Sequence, residues 1–499
     1  MEGFELALHT LTHTPAIFAA MAGVAWGIIG GALPGLSASI TMALLLPLTY
    51  GMQPVVAIIL LASTYVGAEY GGSIPAILIR TPGTSGAVTT AIDGFEMHRK
   101  GKGGEALGIS LACGVVGGLF GMLLLVFMMA PLAQMALLFT AQAHFAIGIL
   151  GLSLIATLSA GSPLKGLMSA ILGLALTTIG LDPLSGVSRF TFGSADLMGG
   201  IDPVLVMIGI FAITELFIQA SQADWGKTAS STRISLPSLK MWRRIWPGTM
   251  IGSGVGGVEG CIPGAGSTLS AFLAYNEARR WSKHPEEFGE GSPEAVAAPE
   301  AANNAVASTG LIPTLAFGIP SSASMAVLLG GLILHGLEPG PLLVEKSRGV
   351  VYGLFGGLFV ANISQLLLGL VLLRPCIWLV NQPRGYLAAG ICALVLSGIY
   401  AVDQNMFDLV AVLGAGVLGY GLKYFGFPAL PLVLGVVLGR IIENNFRRSI
   451  DLGYGDPLVF FKDPIAGVLL SLIILVIVSK VVLTGVRYFR TRRASTQAA

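Results

Sequence analysis

The chain has 499 residues, 54% of them hydrophobic and only 11% charged, with a mean hydropathy of +0.81. Ordinary soluble domains carry roughly 25% charged residues, so a soluble enzyme is excluded. The net charge of +2 offers no basic surface for nucleic acid, because the lysines and arginines gather beside apolar segments, where the positive-inside bias places them.

Apolar windows long enough to span a bilayer, about 20 residues each, recur along nearly the whole chain. They predict an all-α polytopic membrane protein of roughly 11 to 13 crossings. The amino-terminal stretch MEGFELALHTLTHTPAIF has acidic flanks and no small-residue cleavage site, so its helix is expected to be retained rather than removed as a signal peptide.

The first unusual segment is GALPGLSASI, residues 31–40. Its surroundings are apolar enough for a membrane helix, yet Pro34, Gly35, Ser37 and Ser39 lie in its middle. Proline removes a backbone donor and frees a carbonyl one turn back. Such groups are tolerated at membrane depth only against protein or a water-lined cavity. A second broken element follows, GGSIPAILIRTPGTSGA (71–87), which holds Pro75 and Pro82, a lone Arg80 between them, and Gly83, Thr84 and Ser85 after them.

Both elements recur. At an offset of 229, Gly23, Gly27, Gly31 and Pro34-Gly35 match Gly252, Gly256, Gly260 and Pro263-Gly264, with Ser267 and Thr268 as the hydroxyls that follow. At an offset of 238, the double-proline element matches TGLIPTLAFGIPSSASM (309–325), where Pro313, Pro320, Ser321 and Ser322 take the equivalent places. Glycine at every fourth residue suits close packing of membrane helices; the proline-glycine corners mark breaks.

Basic residues set the orientation. The loop before the second copy carries Lys227, Arg233, Lys240, Arg243 and Arg244, whereas none precedes the first; HRKGK (98–102) follows the first double-proline element, and HGLEPGP (335–341) follows the second. Opposite bias at equivalent positions predicts inverted repeats. Each repeat should hold a re-entrant hairpin with its tip at Pro34 or Pro263, and a broken crossing helix unwound between its two prolines.

The expected organisation is a first repeat over 1–221, a cytoplasmic loop over 222–246, a second repeat over 247–463 and a carboxyl-terminal membrane helix with a basic tail over 464–499. The polar stretch 276–302 also reads as loop. The more regular helices at about 107–130, 145–160, 349–373 and 464–486 read as a scaffold against which the broken elements move.

Helix amino termini favour anions, and freed carbonyls suit a cation such as sodium. The substrate contacts expected at the midplane are therefore Pro34, Gly35, Ser37, Ser39, Arg80, Pro82, Gly83, Thr84, Ser85, Pro263, Gly264, Ser267, Thr268, Asn303, Asn304, Pro320, Ser321 and Ser322. Sodium is expected near Pro34–Ser39 and Pro263–Thr268. Asn303 and Asn304 enter from APEAANNAV, ahead of the second broken helix. Arg80 can grip a carboxylate in bidentate fashion, pair with Glu69 or snorkel. Glu69, Glu215 and Glu259 are costly in an apolar setting and are proton or cation sites by expectation.

The four cysteines have no metal-ligand spacing and read as small buried hydrophobes. GAGST (264–268) loosely matches a serine-nucleophile turn, but no His and Asp pair is placed to activate it. No GxxxxGK[ST] loop for ATP is present. A channel can also use broken helices and carbonyl filters; two inverted copies in one chain suit alternating access better.

GALPGLSASITMALLLPLTYGM, GGSIPAILIRTPGTSGA, AIDGFEMHRKGKGGEALG, APEAANNAVASTGLIPTLAFGIP and LLGGLILHGLEPGPLL together resemble the large membrane subunit of the tripartite tricarboxylate transporters, the TctA family, over about residues 17–450. The resemblance implies a non-enzymatic, multi-pass importer of citrate-like tricarboxylates or other organic carboxylates in a bacterial inner membrane. It implies a small TctB-like membrane subunit and a periplasmic TctC-like binding protein as partners. Drive by a sodium or proton gradient, with no other cofactor, is implied too. From the charge bias, the amino terminus is expected in the periplasm and the carboxyl terminus in the cytoplasm.

Overall fold

A computed structural model describes residues 2–33, 35–158, 162–182, 185–221, 233–264, 266–382 and 384–475. Its described residues are mainly helical, and the strands among them are one two-residue antiparallel pair that sets Gly180 opposite Arg189. Among the described residues, six helices are long and apolar enough to cross a membrane: Thr14–Ala32, Pro54–Ile79, Gly103–Leu137, Arg348–Val380, Met406–Tyr424 and Ala429–Leu452. Shorter apolar helices of 10–17 residues lie between them. The architecture is that of an all-α polytopic membrane protein. The windows counted from composition do not each become one full-length span, because several run across turns such as those at Gly35 and Gly264, both with positive φ.

Two helices form the centre. Pro54–Ile79 is buried from Ala57 to Leu78, and Pro293–Thr309 is buried along its whole length. The second lies largely inside 276–302, the stretch read from its polarity as loop. Its alanines and the inward-facing Glu300, Asn303 and Asn304 explain the difference, since small and polar residues lower hydropathy while remaining fully buried. Likewise Leu239–Glu259 begins inside the expected loop 222–246, of which residues 222–232 lie outside the described residues.

Each central helix receives a glycine-lined arm. A Cβ added at Gly23 would lie 2.4 Å from the Leu60 carbonyl oxygen, one at Gly27 2.2 Å from that of Thr64, and one at Gly31 2.3 Å from that of Ala68. In the other half, a Cβ added at Gly252 would lie 2.1 Å from the Ala298 oxygen and one at Gly256 2.3 Å from the Ala302 oxygen. The glycines differ by 229 in number and their carbonyl partners by 238, the two offsets found in the sequence. The third rung departs, with Gly260 against the Thr309 side chain. Only glycine permits this approach of backbones.

The rungs advance in the same direction on both helices, so arm and central helix run parallel. Between them the chain must reverse, and it does so beyond Gly31. The Trp26 indole donates to the Thr41 carbonyl at 3.0 Å, and Gly30 packs against the Thr41 side chain. The reversal sits near the level of Ala68, well short of the helix end at Ile79.

The double-proline elements are broken, and each break begins between its two prolines and straddles the second rather than filling the stretch between them. Pro75 lies inside Pro54–Ile79, and the helix stops at Arg80 in the left-handed conformation (φ 55°). Pro313 lies inside Leu311–Phe317, which stops at the left-handed Gly318 (φ 70°). Arg80 and Gly318 are equivalent at the offset of 238. The non-helical stretches are therefore residues 80–84 and 318–322, each followed by a new helical segment starting at Ser85 or Ala323.

Two of the helices expected as scaffold lie against this centre. A Cβ added at Gly117 or Gly121 of Gly103–Leu137 would lie 2.0 or 2.5 Å from the Ala301 or Ala305 carbonyl oxygen, and Gly357 of Arg348–Val380 packs on Ile59. A second group pairs Pro163–Thr177 with Ala429–Leu452, where Gly173 meets the Leu432 carbonyl and Gly435 that of Ala170. Of the expected segment 464–486, residues up to 475 are described and the rest lie outside.

The halves are further locked by Asp93, which is fully buried. It accepts from the Tyr275 hydroxyl at 2.9 Å and from the backbone N–H groups of Gly289, Gly291 and Ser292 at 2.8–3.0 Å. Removing it strands buried donors, at about 1–3 kcal/mol each. Asp93→Ala is expected to lower the melting temperature of the detergent-solubilised protein sharply. Gly27→Leu and Gly256→Leu, by overpacking the ladders, should each destabilise by about 1–3 kcal/mol or more; unchanged melting would refute the ladder as a close-packed interface.

Candidate functional site

The arms and the breaks meet. In the first half, Gly83 donates its N–H to the Gly72 carbonyl at 3.0 Å and packs against the Gly31 carbonyl, where a Cβ would lie 1.8 Å away. In the second, the Gly264 N–H donates to the Ser321 carbonyl at 2.9 Å. Each turn thus rests on the break of its own half.

Around these junctions one polar cluster takes residues from both halves, centred on Glu69, which is 2% exposed. Thr84 donates to one carboxylate oxygen at 3.3 Å and Ser267 to the other, also at 3.3 Å. Asn303 lies beside the same carboxylate and over Gly86, and neither its amide nitrogen nor its oxygen reaches good hydrogen-bond geometry with any described residue. One turn before Glu69, the Tyr65 hydroxyl sits beside Ser267, Ser322 and Ser324. Thr84 is equivalent to Ser322 at the offset of 238, and Tyr65 to Asn303. The cluster therefore gathers corresponding positions of the two copies.

Helix termini converge there too. Ser267 lies in the first turn of Gly266–Trp281, and Ser322 caps Ala323–Leu334, its hydroxyl accepting from the Met325 N–H at 3.2 Å. Both amino termini open on Tyr65. Unpaired N–H groups at such ends favour an anion.

Several expected site residues take other places. Asn304 points away from Glu69, toward Gly114, and accepts from the Gln365 amide at 3.1 Å. Arg80 is exposed, its guanidinium 5.7 Å from the Phe95 ring centre, and it does not pair with Glu69. Ser37 and Ser39 share a 2.8 Å hydrogen bond, and Ser37 caps Ala38–Ala43. Gly35 and Ser85 are exposed, Pro82, Pro263 and Thr268 half-buried, and Pro320 and Ser321 buried. The Ser321 hydroxyl has no partner among the described residues. Pro34 lies outside the described residues. Of the other acids singled out by sequence, Glu215 pairs with Lys423 at 3.2 Å, while one carboxylate oxygen of Glu259 is buried without a partner among the described residues.

Sequence reasoning passed over Glu300. It is fully buried, and it accepts from Ser73 at 2.6 Å, from Ser110 at 2.8 Å and from Thr90. An acid in a run of alanines next to a proline was the available signal. Tyr65 was equally legible as the equivalent of Asn303. No group of three or more His, Cys, Asp or Glu side chains able to hold a metal occurs among the described residues.

Asn303→Ala is expected to leave folding intact and impair function, whereas Asn304→Ala removes the partner of Gln365 and should lower the melting temperature. The reverse pattern would relocate the site.

Comparison with known proteins finds a match to the model of the "Tripartite tricarboxylate transporter TctA family" over residues 17–434. An uncharacterized 52.8 kDa protein in the TAR-I ttuC' 3' region of Agrobacterium vitis is 38% identical over 471 residues, covering 94% of this chain and 93% of that protein. An uncharacterized protein in the TAR-II ttuC' 3' region of the same organism is 37% identical over 217 residues, 44% of this chain and 90% of that protein. No solved structure matches.

Proposed function

From the premise that the chain belongs to the tripartite tricarboxylate transporter TctA family, we propose that it is the large permease subunit that imports citrate-like tricarboxylates or other organic carboxylates, driven by an ion gradient. The observation that carries this reading is the convergence of two helix amino termini, Ser267 and Ser322, on the face of Tyr65 and Glu69. The termini supply hydroxyl and N–H donors for a carboxylate, and the acid supplies a group whose charge is neutralised by the coupling ion. Thr84, Asn303 and the Tyr65 hydroxyl complete the polar lining.

In this reading the repeats are inverted in the bilayer. The reversals beyond Gly31 and at Pro263-Gly264 are the tips of re-entrant hairpins, one from each side. The charge bias of the flanking loops supports that arrangement, as does the position of the first reversal partway along its central helix. The membrane is the bacterial inner membrane, with the amino terminus periplasmic and the basic carboxyl-terminal tail cytoplasmic. A TctB-like small subunit and a TctC-like periplasmic binding protein are the partners, the latter delivering the substrate. Alternating access exposes the cluster to each side in turn.

The test is uptake of radiolabelled citrate into proteoliposomes holding the permease and its small subunit, with the binding protein supplied outside. Accumulation is expected only when an inward sodium or proton gradient is imposed, and Glu69→Gln should lower the rate about tenfold or more. Equilibration indifferent to both gradients would instead indicate a channel.

A further inference from the structure

The central helices carry two buried carboxylates, Glu69 and Glu300, without a lysine, arginine or histidine partner among the described residues, and their surroundings differ. At Glu300, Ser73 and Ser110 donate directly at 2.6 and 2.8 Å, and Thr90 adds a third hydroxyl. These are close, saturating hydrogen bonds. They tie the second central helix to Pro54–Ile79, Thr90–Arg99 and Gly103–Leu137.

At Glu69 the hydroxyls stand off. Thr84 and Ser267 each lie 3.3 Å from a carboxylate oxygen, at the far limit of hydrogen bonding. Asn303, fully buried, sets its amide against the same carboxylate, with neither amide atom in good hydrogen-bond geometry to any described residue. A buried amide held this loosely is costly, and a ligand between it and the carboxylate would satisfy it.

We infer that Glu69, Thr84, Ser267 and Asn303 form a binding site for a monovalent cation of sodium's size, with the Glu69 carboxylate, the two hydroxyls and the Asn303 carbonyl oxygen as ligands. The inference deepens the import reading and rests on it for its role in coupling.

Spacing supports the ion's size. Oxygens held about 2.3–2.6 Å from a hard cation in a six-coordinate shell stand roughly 3.3–3.7 Å from one another. The 3.3 Å separations at Glu69 fall in that range, whereas the 2.6 and 2.8 Å separations at Glu300 leave no room for an ion between them. A larger cation such as potassium requires wider spacing. Charge supports the valence: one carboxylate neutralises one positive charge, and a divalent ion would leave an uncompensated charge in an apolar core.

The ligands come from four places: the first central helix, the first break, the start of Gly266–Trp281 and the second central helix. A cation there bridges the halves. The Ser267 hydroxyl also lies beside Tyr65, so ion and anion sites share a residue.

The test is equilibrium binding of radiolabelled sodium to the purified full chain in lipid nanodiscs, in choline buffer without any carboxylate. Saturable binding is expected, competed by unlabelled sodium at least tenfold better than by potassium. Glu69→Gln and Asn303→Ala should each weaken it at least tenfold, while Ser73→Ala, beside Glu300, leaves it unchanged. Size-exclusion profile and melting temperature identify the variants that fold, and Thr84→Val is the reserve if Glu69→Gln does not. No saturable binding by the wild type, or wild-type binding by folded Glu69 and Asn303 variants, overturns the site. Sodium binding as expected with uptake that ignores every gradient upholds the site and defeats the import reading; gradient-driven uptake by a protein that binds no sodium does the reverse.

Discussion

The structure depends on one constraint: a helix interrupted inside an apolar core must find partners for its freed backbone groups. The chain meets it by bringing a turn to each break. Gly83 packs on the Gly31 carbonyl and bonds to Gly72, and Gly264 bonds to Ser321. These contacts require arms that approach the central helices to backbone distance, which is why glycine stands at 23, 27 and 31 and again at 252 and 256. The packing rule and the placing of the polar cluster are thus one fact, since the breaks that need support also present Thr84 and Ser322.

The frame is nearly symmetric and its charges are not. Glu69 corresponds to Ala307, and Glu300 to Ala62. The two acids lie at different positions along the repeat; Glu69 takes one of its two hydroxyls, and Glu300 all three of its own, from the opposite half. A duplicated scaffold has in this way acquired two unlike carboxylates. One is closed by short hydrogen bonds and holds helices together; the other is loosely surrounded and faces the junction of the breaks.

Much of this was legible in the sequence. Glycine at every fourth residue followed by a proline-glycine corner, found twice, located both arms, and the offsets of 229 and 238 reappear as packing partners. The breaks were placed a few residues early because proline was taken as the stop. Pro75 and Pro313 sit in helices that end only at the left-handed Arg80 and Gly318, where a conformation rather than a residue type decides. Arg80 shows the limit clearly, since nothing in its charge predicts a helix cap lying over Phe95. The second central helix was hidden by its own composition, because a helix buried among other helices needs small and polar residues and so resembles a loop in hydropathy. Asn303 and Asn304, adjacent in sequence, face different sides, a distinction that only the helix's packed neighbours settle.

The central claim is that the cluster at Glu69 opens to each side of the membrane in turn. Its most direct test places a single cysteine at Ser322, with the four native cysteines replaced, and measures labelling by a membrane-impermeant maleimide in right-side-out and inside-out vesicles. The account predicts labelling from both faces, with sodium and citrate together shifting the balance between them. Labelling from one face only, under all conditions, would contradict it.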